Sequence, residues 1–345
     1  MKVSVMLPAR DAAETLPRAA RSCLEQTFED LELLLLANDT TPETREVMEG
    51  LRREDGRVRI VETLPGAGFV AALNGGWRTA KGTYLARMDA DDWAYPDRLE
   101  CQVDWLDGHP DAVGCGSWVQ ILRRDAEGIL RPPQQGYAAF ERWLCSFHSP
   151  EELYRERFVD SPIVNPSMMV RADLFENVGG YRDEGWAEDY DFWLRVWEWG
   201  GPQCLGIIPE VMLDWIDSDT RLTRHHERYR MISFLAAKVH FLARLPQVRS
   251  HGVIVCGAGP TGKRIAHGLR QQRVKVAAFL EVSERRIGQA IGGVPVHASA
   301  WIRDHWKGEV VLAAAGQPGR RQAIRELLED LVPELVEGQT FLGLA

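Results

Sequence analysis

The sequence predicts an α/β protein: a doubly wound, mostly parallel sheet followed by a second, smaller α/β domain. Three observations carry that expectation. Short apolar runs alternate with helix-period segments through roughly the first 110 residues, the alternation starts afresh after Pro246, and 345 residues outgrow one ordinary compact core. Residues 3–7 form a short apolar run and read as a strand, 13–26 have helical spacing, 31–36 are a second strand and 42–53 a second helix. A strand at 57–62, a helix at 69–80 and a strand at 83–88 continue the alternation, and Leu99, Val103 and Leu106 then recur at helical spacing. Strands separated by helices pair in parallel and bind ligands beyond their carboxyl ends. From about 115 to 180 the periodicity weakens, with Pro132, Pro133 and Gly136 marking a loop. A helix resumes near Glu188, where Phe192, Trp193, Val196 and Trp197 share a face, and another is expected over 227–245 until Pro246 ends it. Beyond it, strands at 252–256, 274–280 and 309–314 alternate with helices at 261–271 and 320–331. The expected domains are therefore 1–248 and 249–345.

Composition narrows the function classes. Lys plus Arg number 41 against 50 Asp plus Glu, a net charge of −9, so a general electrostatic footprint for nucleic acid is not expected. The acid is concentrated in the first domain, because residues 250–345 hold 12 basic and 9 acidic side chains. Apolar residues at 45% and charged residues at 26% describe a globular chain and not a disordered one. The longest apolar stretch, around 33–37, is far short of the ~20 residues a membrane span needs, and the N-terminal segment lacks signal-peptide features. A cytoplasmic location is expected, with any membrane contact peripheral and at the inner face. Six scattered cysteines without a CxxC pair argue against a zinc cluster or a disulfide framework.

The most informative stretch is Tyr84-Leu85-Ala86-Arg87-Met88-Asp89-Ala90-Asp91-Asp92, a strand running into three carboxylates at the sheet edge where ligands bind. Asp89 and Asp91 point the same way if the chain stays extended, and such a pair can supply an all-oxygen shell for Mg²⁺ or Mn²⁺. Asp residues after a strand also make turns and cap helices, so the triplet alone leaves both readings open.

Around it, Pro8, the run Ser22-Cys23-Leu24-Glu25-Gln26-Thr27-Phe28, Asn74, Ala80-Lys81-Gly82, the acidic triplet and Pro96 occur in one order, followed by Gly179-Gly180-Tyr181 and Glu188-Asp189-Tyr190-Asp191. This series resembles the inverting glycosyltransferases of family 2, which have a GT-A fold, over about residues 1–240. The resemblance implies a nucleotide-sugar donor, a glycan, lipid-linked or other hydroxyl acceptor, and Mn²⁺ or Mg²⁺ to neutralise the departing diphosphate. It implies Asp91 as principal metal ligand, Asp89 on the metal or the donor ribose, and Asp92 orienting its neighbours or meeting the donor sugar. Pro8, Arg10, Asn38, Asp39 and Asn74 are the further donor-binding candidates. The Glu188-Asp189 pair implies Asp189 as general base with Glu188 in support, although acids in a first helical turn also stabilise the helix dipole unaided. Trp186 is the acceptor-platform candidate, whereas Trp193 and Trp197 at helical spacing read as core.

Three departures qualify the resemblance. Ala37 and Asn38 stand where many relatives carry two adjacent acids, though Asn38 can hydrogen-bond a base and Asp39 offers an acid one position later. Asn165 replaces a frequent His, and the Arg-x-His segment of relatives has no clear match between Asp214 and His226. His225 or His226 could reach the metal or diphosphate, but two adjacent histidines flanked by Arg224, Glu227 and Arg228 are more often a solvated helix start.

The C-terminal domain carries Gly257, Gly259 and Gly262 in a GxGxxG run between a strand and a helix, with Glu281 at the end of the next strand, where an acid would meet a ribose hydroxyl. It resembles small Rossmann-like modules, for which NAD or another nucleotide is the implied ligand. The rival functions are accordingly an NAD-linked oxidoreductase and a nucleotide-sensing or scaffolding protein.

Overall fold

The computed structural model describes residues 1–219, 221–314 and 320–344. It divides into two compact units, Met1–Leu153 with Pro162–Glu184 and Asp191–His225, and Tyr154–Ser161 with Gly185–Tyr190 and His226–Ala345.

In the first unit, β1 (Val3–Ala9), α1 (Leu16–Leu24), β2 (Leu31–Ala37), α2 (Pro42–Glu54), β3 (Val58–Glu62), α3 (Phe69–Thr79) and β4 (Tyr84–Arg87) alternate as the apolar pattern indicates. Every residue of β1 and β2 is buried, which is why both read as unbroken apolar runs: parallel strands covered on two faces need no polar alternation. Thr41 caps α2 by accepting the Thr44 N–H, Pro42 opens it, and Arg52 and Arg53 close it at the negative end of its dipole. The unit continues through β5 (Trp93–Ala94), α4 (Arg98–Gly108), β6 (Gly114–Arg124), β7 (Leu130–Arg131), α5 (Gln135–Leu144), α6 (Pro150–Glu156), β8 (Met169–Arg171), α7 (Leu174–Val178), α8 (Glu188–Gly200), β9 (Leu205–Asp217) and α9 (Leu222–His225). The ends of α6 and α8 that fall in 154–161 and 185–190 belong to the second unit.

The first sheet has the order β3-β2-β1-β4-β8-β6-β9-β5, with β7 on β6. β3, β2, β1 and β4 are parallel, β8 runs antiparallel to both β4 and β6, and β6 and β9 pair in parallel. The long strand β6 falls in the stretch of weak periodicity, and its partner β9 lies beyond it, between the helix at Glu188 and the one expected from 227. Their pairing shifts register around Ser117 and Trp118, and β9 carries exposed Pro209 and Glu210 mid-strand. The core gathers Leu7, Leu35, Ala86, Met88, Leu106 and Ile121.

The second unit contains α10 (Met231–Leu242), α11 (Pro246–His251), β10 (Val253–Cys256), α12 (Pro260–Gln271), β11 (Val276–Glu281), β12 (Ala290–Ile291), β13 (Val294–Ala298), α13 (Ile302–His305), β14 (Val310–Ala313), α14 (Arg320–Leu331) and β15 (Phe341–Gly343). Its sheet order is β12-β13-β11-β10-β14-β15, all parallel except the β12–β13 pair. The chain thus winds outward from β10 on one side and then on the other, so the strand order reverses between β10 and β14.

Two expectations shift. The helix expected over 227–245 starts at Met231, because Glu227–Tyr229 forms a 3₁₀ turn that the His226 ring caps by accepting the Arg228 N–H. The compact units divide at His226, not at 248, since α10 lies with the later residues: Gly268 of α12 is so close to Val239 that a Cβ there would fall 2.9 Å from its methyl group. Among the described residues, no helix is long and apolar enough to cross a membrane.

Candidate active site

β4 sits at the centre of the first sheet between β1 and β8, and all four of its residues are buried. The Met88 N–H donates to the Met6 carbonyl at 3.1 Å, keeping the chain extended one step past the strand. The acids follow at once. One carboxylate oxygen each from Asp89, Asp91 and Asp92 lies within 4.8 Å of the other two. Two guanidinium groups face them. Arg87, from within β4, pairs with Asp89. Arg221 donates to Asp89 Oδ2 at 2.7 Å and stands 3.5 Å from Asp91 and 3.4 Å from Asp92, its plane over the Trp215 ring at 4.3 Å. The end of β9 contributes the Ile216 N–H to Asp92 Oδ1 at 2.8 Å. Asp92 Oδ2 is buried with no hydrogen-bond partner among the described residues.

Charge is therefore shared unevenly. Burial disfavours the Asp89 carboxylate, but Arg87 and Arg221 outweigh it and hold its pKa below the usual value. Burial dominates at Asp91 and raises its pKa against the pull of Arg221, and it raises Asp92 further still. A hard divalent cation suits this donor set: carboxylate oxygens alone, converging, with one buried oxygen lacking any donor. Asp89, Asp91 and Asp92 are the residues that would hold Mn²⁺ or Mg²⁺.

Other expected donor-binding residues reach the carboxyl ends of β1 and β2. Pro8 is paired in β1 opposite Leu36, and Arg10 follows it exposed. The Asn38 N–H donates to Ala9 O, and Thr41 N–H to Arg10 O, so the two loops are stitched together. Asp39 adopts a left-handed φ of 47° and accepts the Gly66 N–H at 2.8 Å. Asn74 is held by protein partners. Its Nδ2 donates to Tyr181 O at 2.9 Å, while its Oδ1 accepts the Tyr181 N–H and the Trp77 indole N–H. These bonds clamp the Gly179-Gly180-Tyr181 turn. Gly180, at φ +70°, lies so close that a Cβ would sit 2.7 Å from Asn74 Oδ1.

Two other motifs are clamps as well. Gln26 donates to Tyr95 O and accepts the Leu99 N–H, and Ser22 accepts the Ala94 N–H, holding the chain that follows the acids. The Lys81 and Gly82 N–H groups bond Ser4 and the buried Glu32, fixing the entry to β4.

The second acidic site lies in the second unit. Glu188 opens α8 and is buried, both its oxygens accepting the Tyr229 hydroxyl at 2.9–3.0 Å, with Arg228 at 3.3 Å. Burial and the charges of Glu188 and Asp189 push the Tyr229 phenol well above its ordinary pKa, so it remains a donor. Asp189 accepts the Tyr190 N–H at 2.7 Å at the helix start. Trp186 is half-buried, 5.4 Å from the His240 ring of α10, and the Tyr190 ring lies tilted 5.3 Å from Phe234 of α10. Trp193 and Trp197 are buried. His225 and His226 are exposed: His225 ends α9 with its ring on Asp219 O, whereas His226 stands at a helix start and accepts the Arg228 N–H.

At the C-terminal glycine run, Gly257 has φ +102°, and a Cβ on Gly262 would fall 2.0 Å from the Gly257 carbonyl, so Gly262 permits close packing of helix on strand. Gly259 N-caps α12 with nothing near its would-be Cβ. Glu281 accepts the Ala258, Val282 and Ser283 N–H groups and Arg286 at 2.9 Å. Its carboxylate is thus already satisfied by protein donors.

Sequence reasoning missed Arg87, Arg221, Arg228 and Tyr229. An arginine inside an otherwise apolar strand was a legible signal for Arg87. Nothing local distinguishes Arg221, which comes from 129 residues beyond Asp92.

The glycosyl transferase family 2 model matches residues 4–179. An uncharacterized glycosyltransferase of Haemophilus influenzae is 29% identical over 216 residues, 62% of this chain and 64% of that protein, so under two thirds of its length is spanned. The amylovoran biosynthesis glycosyltransferase AmsE of Erwinia amylovora is 23% identical, over 70% of this chain and 91% of its own. Among solved structures, S. aureus TarS 1-349 in complex with UDP-GlcNAc superposes with a TM-score of 0.54 at 13% identity, covering 79% of this chain and 72% of that one. The mannosyltransferase PcManGT of Pyrobaculum calidifontis, in complex with GDP-Man and Mn²⁺, gives 0.50 at 18% identity, covering 79% and 69%. At these identities the likeness bears on the fold, which is GT-A.

Proposed function

The chain belongs to glycosyl transferase family 2, and from that premise we propose that it moves a sugar, with inversion, from a nucleoside-diphosphate donor to a hydroxyl acceptor in polysaccharide or glycoconjugate synthesis. The observation that carries the reading is the convergence of Asp89, Asp91 and Asp92 at the carboxyl end of β4, within the matched region. The UDP-GlcNAc and GDP-Man complexes of two proteins of like fold support the donor class, and the Mn²⁺ in one supports the metal. The amylovoran relative supports polysaccharide assembly.

A bound divalent ion supplies neutralisation of the diphosphate as it departs. Asp91 is the principal ligand in this reading, Asp89 and Asp92 completing the cluster. Pro8, Arg10, Asn38 and Asp39 floor the nucleotide pocket. Asp189 takes the proton from the acceptor hydroxyl at its carboxylate oxygen. Glu188, fixed by Tyr229 and Arg228, is a positioning residue that keeps the first turn of α8 in place. Trp186 offers a ring face to the acceptor.

Donor hydrolysis across nucleotide sugars, measured with Mn²⁺ and with chelator, tests the reading. Turnover of at least one donor is expected with Mn²⁺ and none with chelator, and Asp189→Asn should cut kcat by about 10²–10⁴ while leaving donor affinity nearly intact. UDP and GDP binding that ignores the metal removes the metal assignment, and full turnover by Asp189→Asn removes the base.

A further inference from the structure

We propose that Arg221 is the acidic cluster's own counter-cation, competing with the divalent metal for Asp89, Asp91 and Asp92 and releasing carboxylate contacts when the metal binds. The inference rests on the metal reading above and adds a residue that the family resemblance did not supply.

Three observations support it. First, Arg221 is the cation that reaches all three acids, at 2.7, 3.5 and 3.4 Å, whereas Arg87 pairs with Asp89 alone. A metal sharing those oxygens meets the guanidinium charge directly. Second, the charge count leaves room for one cation more. Three carboxylates face two guanidinium groups, and Asp92 Oδ2 remains buried without a donor. Without Arg221 the cluster carries a twofold negative excess, the formal complement of one divalent ion. Third, the two arginines are held differently. Arg87 lies within β4, its backbone fixed by sheet pairing, while Arg221 lies in the connection between β9 and α9. The Trp215 ring and the Ile216 carbonyl guide its side chain without enclosing its backbone in a ladder.

The forked guanidinium binds phosphate as readily as carboxylate. A diphosphate bound at the same acids therefore lies within reach of the fork that the metal displaces, and Arg221 passes from stabilising the empty cluster to gripping the leaving group.

The test is Mn²⁺ binding to the full chain without nucleotide, read from the free-Mn²⁺ resonance, together with Tm in chelator and in saturating Mn²⁺. Arg221→Gln is expected to bind Mn²⁺ at least tenfold more tightly than the unsubstituted chain. Its Tm should be lower in chelator, with the gap narrowing in Mn²⁺. Arg221→Lys keeps the charge but not the fork and should gain about threefold. It carries the comparison alone if Arg221→Gln does not fold. Mn²⁺ binding by the unsubstituted chain with no gain in either variant overturns the inference and spares the metal reading. Failure of every chain to bind Mn²⁺ overturns both.

Discussion

Each unit places a loop at the carboxyl end of a central parallel strand, after β4 in one and after β10 in the other, and the two loops treat buried charge in opposite ways. After β4, three carboxylates crowd within 4.8 Å, two guanidinium groups answer them, and one oxygen is left without a donor. The loop after β10 carries no such cluster: its Ala258 N–H turns to Glu281 at the end of the neighbouring β11, an acid also met by the Val282 and Ser283 N–H groups and by Arg286. The first loop holds charge that the fold does not itself neutralise, as a cation-binding site must. The second loop is internally balanced, and its tightest feature, Gly262 against the Gly257 carbonyl, serves helix packing. Position at a strand end is thus shared by both loops, and unmet charge is what separates them.

The comparison breaks most readily at Asp91. Asp91→Asn keeps the shape and removes a charge, and Mn²⁺-supported donor hydrolysis should fall roughly 10²–10³-fold, the scale for losing one preorganised electrostatic partner. Calorimetry with UDP or GDP in Mn²⁺ should lose its signal in the same variant, and unchanged binding would make the cluster structural.

A smaller effect is expected at Gly262. Gly262→Ala drives a methyl into the Gly257 carbonyl, whose backbone cannot rotate aside, and should cost about 1–3 kcal/mol as other overpacked sites do. Thermal unfolding reports the cost. Nucleotide affinity in Mn²⁺ should stay as it was, and a parallel loss would mean that the two loops are not independent.

The smallest effect belongs to Glu281→Gln. Burial works against the Glu281 carboxylate, but Arg286 and the neighbouring N–H groups outweigh it and hold its pKa below the ordinary 4.5. A carboxyl with a depressed folded-state pKa adds stability that is fully present above the unfolded value and is lost as pH falls through the folded one. Because Arg286 is 45% exposed, solvent screening keeps that stability below about 1 kcal/mol. The difference between Glu281→Gln and the unsubstituted chain should therefore be small at pH 7 and shrink as the pH falls below the ordinary carboxylate range, as denaturant midpoints would reveal. A difference that persists in acid would assign Glu281 a role other than charge.

The fold was legible where a strand is covered on both faces. β1, β2 and β4 and the later β10 and β14 announce themselves as largely apolar runs because every residue of each is buried, on both faces of its sheet. It was illegible in β6 and β9, whose partners lie far apart in sequence and whose pairing slips register. The candidate site divides in the same way. Asp89, Asp91 and Asp92 are adjacent in sequence, and so is the Glu188-Asp189 pair, hence a motif finds them. Asn74 stands in a motif too, yet only its contacts with Tyr181 and Trp77 reveal it as a clamp.

By itself the sequence determined the alternating fold class, the acidic character of the first domain, and the acids on which the chemistry is proposed to rest, because each depends on neighbours along the chain. The tertiary structure alone decided which cations meet those acids, that Glu188 at the start of α8 is buried and held by Tyr229 and Arg228, and that the compact units part at His226. Burial and Coulomb attraction act through space, and a contact such as Arg221 on Asp92, 129 residues apart, has no local pattern to reveal it.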